Sequence, residues 1–200
     1  MKAILISIKP KWVAKILNGE KTIEIRKTMP KCDLPIDVYI YCTKEKEKCC
    51  FVDYRPCGNS GYLTTKLDCM GEELNGKVVA KFTLNRVDEH HVLPNERILP
   101  FNWNVEQKLE QLCLTKEEVM AYGKGQDYQA FLWHIFNLEI FNKPKELSEF
   151  KIKGFERIKV MGSPYGDLDS VAYHYEKKPI LKSLTKAPQS WCYVEVEIDE

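Results

Sequence analysis

Gly19-Glu20-Lys21-Thr22-Ile23-Glu24-Ile25-Arg26 brings an amine, a carboxylate and a guanidinium together over a few positions. Such a set can hold a phosphate or a base acceptor on its cations, while the carboxylate accepts from an exocyclic amine or fixes the arginine by an ion pair. The same set could do covalent work, because a lysine kept neutral by desolvation or by neighbouring cations can act as base or nucleophile. Thr22 to Arg26 alternates, which predicts a strand with Ile23 and Ile25 on one face and Thr22, Glu24 and Arg26 on the other. Lys21 falls in the turn before that strand, so alternation does not fix where it points. Periodicity alone would be met equally well by a plain exposed sheet surface. The preceding elements favour a site.

Ala3 to Ile8 reads as a short buried strand. Pro10 then suits the first position of a helix, where its missing N–H costs nothing. Trp12, Val13, Ile16 and Leu17 follow at helical spacing, and Asn18-Gly19 supplies the stop, so residues 10–18 are predicted to be helical. This helix must fold back over the sheet to bury Trp12 and Ile16. Its carboxyl end then lies beside the Thr22–Arg26 strand, and a cleft can open there.

Further along, Val38 to Cys42 reads as a third strand and 44–48 as a charged surface stretch. Residues 43–75 form a long excursion with room for one hairpin. Gly76 to Val87 reads as one strand. Asn104-x-x-Gln107 and Thr115-x-x-Glu118 both match the capping box, and predict helices ending near Leu112 and Gly123. Phe131 to Phe141 reads as one strand stopped by Pro144, residues 151–187 carry mixed signals, and Trp191 to Ile198 reads as the last strand. Strand, helix, strands, helices, strands is the order of an α+β fold with a mixed sheet.

The chain has 200 residues, 44% hydrophobic, 30% charged and 11% aromatic, which fits one folded domain rather than a disordered chain. No apolar run approaches the length of a membrane span, and Lys9 and Lys11 follow the apolar start where a leader would need small residues. A cytoplasmic location is therefore expected. Net charge is +1, but residues 1–31 carry eight basic side chains against Glu20 and Glu24, a local excess that could attract phosphate.

Eight cysteines occur, five of them between Cys42 and Cys69. Without an export signal they are expected to be reduced. Cys42, Cys49, Cys50, Cys57 and Cys69 raise a structural zinc and a zinc-stapled interaction module. No Cys-x-x-Cys pair is present to place two thiolates on one ion, so no metal and no cofactor are expected. Nor is there a Gly-x-Ser-x-Gly elbow, a phosphate loop or a dinucleotide fingerprint. His90 and His91 are adjacent and would face opposite ways on a strand, while His134 in its apolar run reads as a satisfied core histidine.

The octapeptide resembles the signature of the ASCH-domain family, Gly-x-Lys-x-x-Glu-x-Arg, at Gly19, Lys21, Glu24 and Arg26. Residues 1–43, 76–89 and 115–150 are similar to that domain, and Ala187 to Val194 resembles the ending of bacterial and phage members. The resemblance implies one PUA-like domain over 1–200, a mixed β-barrel flanked by short helices, with insertions at about 43–75 and 151–186. It also implies RNA or a nucleotide as ligand, in a cleft lined by Ser7, Lys9, Lys21, Glu24 and Arg26. Trp12, Tyr41 and Trp103 are the aromatic candidates for stacking a base. As an alternative it implies an amidohydrolase that removes an acyl group from the exocyclic nitrogen of cytidine-type nucleosides, or a ribonuclease, with Lys21 and Glu24 catalytic. The small amidohydrolases carry a threonine where this chain has Glu24, and a downstream glutamate for which Glu110 is the candidate.

Overall fold

The computed structural model describes residues 1–52, 62–66, 73–92, 105–161 and 173–196. In chain order these form β1 (Lys2–Ile8), α1 (Pro10–Leu17), β2 (Ile23–Arg26), β3 (Ile36–Cys42), β4 (Lys48–Val52), β5 (Tyr62–Lys66), β6 (Val78–Leu84), β7 (Val87–Val92), α2 (Val105–Leu112), α3 (Lys116–Tyr122), β8 (Tyr128–His134), β9 (Phe136–Lys145), β10 (Lys151–Met161), β11 (Tyr173–Ser183) and β12 (Trp191–Glu195). A single 3-10 turn, Leu147–Glu149, separates β9 from β10.

β1 is central. It pairs antiparallel with β12 and parallel with β3, in a seven-stranded mixed sheet of order β11-β10-β12-β1-β3-β6-β9. Its even residues Ile4, Ile6 and Ile8 enter one core cluster with Val38, Ile40, Phe82 and Trp133. Its odd residues Ala3 and Leu5 enter a second with Tyr39, Phe150 and Val194. Burial on both faces explains the unbroken apolar run of the sequence. A second sheet, β2-β8-β7, closes over the first core, and its far face is covered by α2 through Ile23, Ile25, Leu112 and Leu132.

The mixed sheet and short flanking helices agree with the sequence reading, and the two sheets are joined by corners that periodicity did not show. The predicted strand Phe131–Phe141 is two strands, β8 and β9, in different sheets. Its break is Ile135, whose N–H donates to the Thr22 carbonyl at 2.9 Å while the neighbouring His134 N–H reaches the Arg86 carbonyl at 3.1 Å. Aromatic and β-branched residues on both sides of the corner hide the change of sheet, and Pro144 lies within β9 instead of after it. The predicted strand 76–87 likewise turns at Asn85-Arg86 into β7. The expected hairpin in the excursion is β4–β5, which lies against α1. Residues 151–187, ambiguous in sequence, hold two 11-residue strands. Asn104 and Trp103 lie outside the described residues, but the Thr115 box forms: the Glu118 N–H donates to Thr115 Oγ1 at 3.2 Å, and the Thr115 N–H to Glu118 Oε2 at 2.9 Å. Among the described residues no helix is long and apolar enough to cross a membrane.

The end of α1 aims the chemistry. Asn18 donates to the Ala14 carbonyl, Gly19 takes φ +77°, and the next two N–H groups, of Glu20 and Lys21, both reach the Lys15 carbonyl at 2.9 and 3.1 Å. A Cβ on Gly19 would meet nothing within 4 Å, so only backbone conformation opposes a side chain there. Gly19→Ala is expected to cost about 1–2 kcal/mol, the penalty of a left-handed L-residue. Urea denaturation measures it, and an unchanged midpoint would show that the turn relaxes freely.

Candidate functional site

The carboxyl half of β1, the start of α1, strand β2, the first residues after β3, helix α3 and the segment leading into β12 surround a cleft of about 740 Å³. Ser7, Lys9, Lys21, Glu24 and Arg26 all line it. Glu24 and Arg26 point from β2 toward the first core, whereas Ile23 and Ile25 enter the core under α2. Both faces of β2 are thus covered, and the exposed-surface reading of the alternation does not hold.

At the base of the cleft two cations share one carboxylate. Glu24 Oε2 lies 3.2 Å from Lys21 Nζ and Oε1 lies 3.3 Å from Arg26 Nη2. The three side chains are 7%, 2% and 11% exposed in the order Glu24, Lys21, Arg26. Lys21 Nζ also donates to the Leu112 carbonyl at the end of α2, at 2.7 Å. Arg26 Nη2 also donates to the Ser7 carbonyl at 2.8 Å. Arg26 Nε and Thr43 Oγ1 are buried in the cleft wall without a partner among the described residues. Ser7 is spent on structure: its Oγ donates to the Pro188 carbonyl at 2.7 Å and its N–H to the Ser190 carbonyl at 2.8 Å, which seats 186–190 on the cleft floor. Lys9 sits at the rim and pairs with Glu45 Oε1 at 3.4 Å.

Of the aromatic candidates, Trp12 lines the cleft, with Lys11 Nζ 4.4 Å and Lys21 Nζ 5.4 Å from its ring centre. Tyr41 lines it too but is buried. Glu110 is not among the lining residues. Helix α3 instead presents Glu118, whose Oε1 is 3.7 Å from Lys11 Nζ, and Tyr122 one turn further on. The capping box signalled the helix and the shared face of these two residues, which lie four apart, but not the cleft that this face meets. Lys44 and Lys186 complete a basic rim that no motif announced.

Of the cysteines raised for zinc, Cys57 and Cys69 lie outside the described residues. Cys42 and Cys49 are buried, hydrogen-bonded to each other, and their bond together with burial pushes the Cys42 thiol up. Asn75 Oδ1 accepts from the Cys49 N–H at 2.9 Å. Among the described residues no three metal-ligating side chains converge.

Because α2 supplies the carbonyl that holds Lys21, its anchorage matters. Lys108 of α2 and His134 of β8 both reach Asp88 Oδ2, at 3.2 and 2.8 Å, and Arg86 Nε reaches Oδ1 at 2.7 Å. His134 is thus a satisfied, largely buried histidine, its ring nitrogen held by Asp88 and its ring lying against Phe136. Burial pushes the imidazole down, against the pull of Asp88. Burial opposes the Asp88 charge as well, but bonds from Arg86, His134 and Lys108 outweigh it and hold the carboxyl below its usual range. Burial lowers nearby His90 in the same way. A base lowered in the folded state leaves the unfolded chain holding more protons, so its stabilisation is whole above the ordinary imidazole value of 6.5 and is lost as pH falls toward the depressed one. The denaturation midpoint is expected to drop between pH 7.5 and pH 5.5, and to drop less in His134→Gln. Equal drops in the two proteins would contradict this.

No protein-family model and no curated protein sequence matches the chain. Among solved structures it is similar to ASCH from Zymomonas mobilis, at 16% identity over 72% of this chain and 73% of that one, with a TM-score of 0.46. A single-substitution variant of that protein gives 16% identity, 72% and 74% coverage and a TM-score of 0.45.

Proposed function

We propose that this chain is an ASCH-type RNA- or nucleotide-binding protein and that the cleft takes one nucleotide. The observation that carries the reading is the pair of buried cations sharing a single carboxylate. Two cations and one anion withdrawn from water leave one positive charge that no second carboxylate among the described residues pairs with, and a phosphate or a base carbonyl completes the set. Glu24 accepts from an exocyclic amine, and Trp12 and Tyr122 are the aromatic residues of the cleft wall against which a base would pack. The volume suits a single small ligand with its flanking phosphate rather than a helix of nucleic acid.

Binding is favoured over hydrolysis by the state of Lys21. A nucleophilic amine needs a free lone pair, whereas Lys21 Nζ stands in an ion pair with the Glu24 carboxylate, and the ammonium of an ion pair has no lone pair to attack with. The test is calorimetric titration of the four ribonucleoside 5′-monophosphates, with Lys21→Ala and Lys21→Arg alongside an assay of acetylated cytidine hydrolysis. Saturable binding, lost in Lys21→Ala and partly kept in Lys21→Arg, is the expected result. Turnover by the wild type that both substitutions abolish would replace binding with the amidohydrolase.

A further inference from the structure

Strands β10 and β11 form an antiparallel arm. Beyond Lys151, which pairs with Glu195 of β12, the only ladder partner of β10 among the described residues is β11, in unbroken register to Met161↔Tyr173. Residues directly opposite each other share a face, so the register sorts the arm into two. One face carries Lys151, Lys153, Arg157, Lys159 and Lys177, and among the described residues neither strand places an acid on it. The other carries Lys178 and Lys182 balanced by Glu156 and Glu176. The large exposed apolar side chains of the arm all fall on the basic face: Phe155 64%, Met161 71%, Tyr175 56% and Leu181 54%. The opposite face keeps Ile152, Ile158, Val160 and Ile180 half-buried.

We propose that the basic face of this arm binds a single strand of RNA. Cations set among exposed aromatics at two-residue spacing, about 7 Å between rows, are what a single strand requires: charge for the backbone and flat rings for unstacked bases. One stacking platform already exists, since the Arg157 guanidinium lies 4.2 Å from the centre of the Tyr175 ring. Glu195 answers Lys153 at 3.2 Å, but that acid belongs to β12 at the root of the arm. The excess of positive charge on the two strands' side of this face opposes face-to-face pairing with a second copy, and apolar groups interleaved with the charges do not gather into a membrane-inserting edge. The choice of RNA over other single strands rests on the reading of the cleft; the charge and stacking argument does not.

The experiment is fluorescence anisotropy of a labelled uridine 12-mer with the full chain, across a salt series. Arg157→Glu/Lys177→Glu is expected to lower affinity at least about tenfold and to flatten the salt dependence, since single strands lose affinity with a slope of about −0.7 per neutralised phosphate. Tyr175→Ala, which leaves every charge in place, is expected to lose at least about fivefold. Lys178→Glu/Lys182→Glu on the opposite face is expected to stay within about threefold of wild type, a loss that small being the long-range effect of net charge alone. Circular dichroism and unchanged mononucleotide affinity show that the arm variants fold and keep the cleft. Arg26→Ala keeps the arm, so the two readings fail separately. Equal losses on both faces, unchanged affinity in Arg157→Glu/Lys177→Glu, tighter binding of a thymidine 12-mer, or capture by phosphatidylserine vesicles in place of RNA would each overturn the proposal.

Discussion

Glu24→Ala is expected to unfold at a much lower urea concentration than wild type, with a loss of about 3–5 kcal/mol. The reason is the asymmetry of a buried ion network. Among the described residues Glu24 is the only carboxylate answering Lys21 and Arg26, and all three side chains are almost out of water. Removing it leaves two uncompensated cations close together at the base of the cleft. Arg26→Ala should be milder, because Glu24 keeps Lys21. Replacing all three with apolar residues, in Lys21→Met/Glu24→Leu/Arg26→Met, should recover most of the stability lost in Glu24→Ala, because the desolvation of the charges disappears with their attraction. Urea denaturation of the four proteins checks the series. A Glu24→Ala midpoint equal to that of wild type would mean that water reaches the network and screens it.

Arg26→Ala is expected to weaken mononucleotide binding about thirtyfold or more, the usual consequence of truncating one member of a desolvated, hydrogen-bonded charge cluster. Arg26→Lys should restore little. Nη2 reaches the Ser7 carbonyl and Glu24 together, and a lysine has no planar fork with which to hold two acceptors while presenting a further N–H to a ligand. Calorimetric titration reads the loss, and thermal unfolding shows that the fold persists. Equal affinity in wild type and Arg26→Ala would remove this arginine from the site.

Much of the site could be read from local spacing. Pro10, the apolar face of Trp12 to Leu17 and the Asn18-Gly19 stop define α1, and the alternation after Gly19 puts Glu24 and Arg26 on one face. The direction of Lys21 could not be read that way. It depends on a carbonyl 91 residues away, at Leu112, that only tertiary packing brings near. Glu118 and Tyr122 were hidden for the same reason: the Thr115 capping box announced a helix, and nothing local said which cleft it would face. The corner at Ile135 was missed because apolar residues continue through it, and a period-2 pattern cannot report a change of sheet. The arm escaped because both of its faces carry apolar residues among charges, so neither strand shows clean alternation.

The central claim is that one nucleotide sits over Lys21, Glu24 and Arg26. Photocrosslinking with 4-thiouridine monophosphate, followed by peptide mapping, tests it most directly. Labelling of the peptides holding Trp12 or Tyr122, competed away by unlabelled nucleotide and lost in Arg26→Ala, is the predicted result. Labelling that falls elsewhere on the chain, or that persists undiminished in Arg26→Ala, would contradict it.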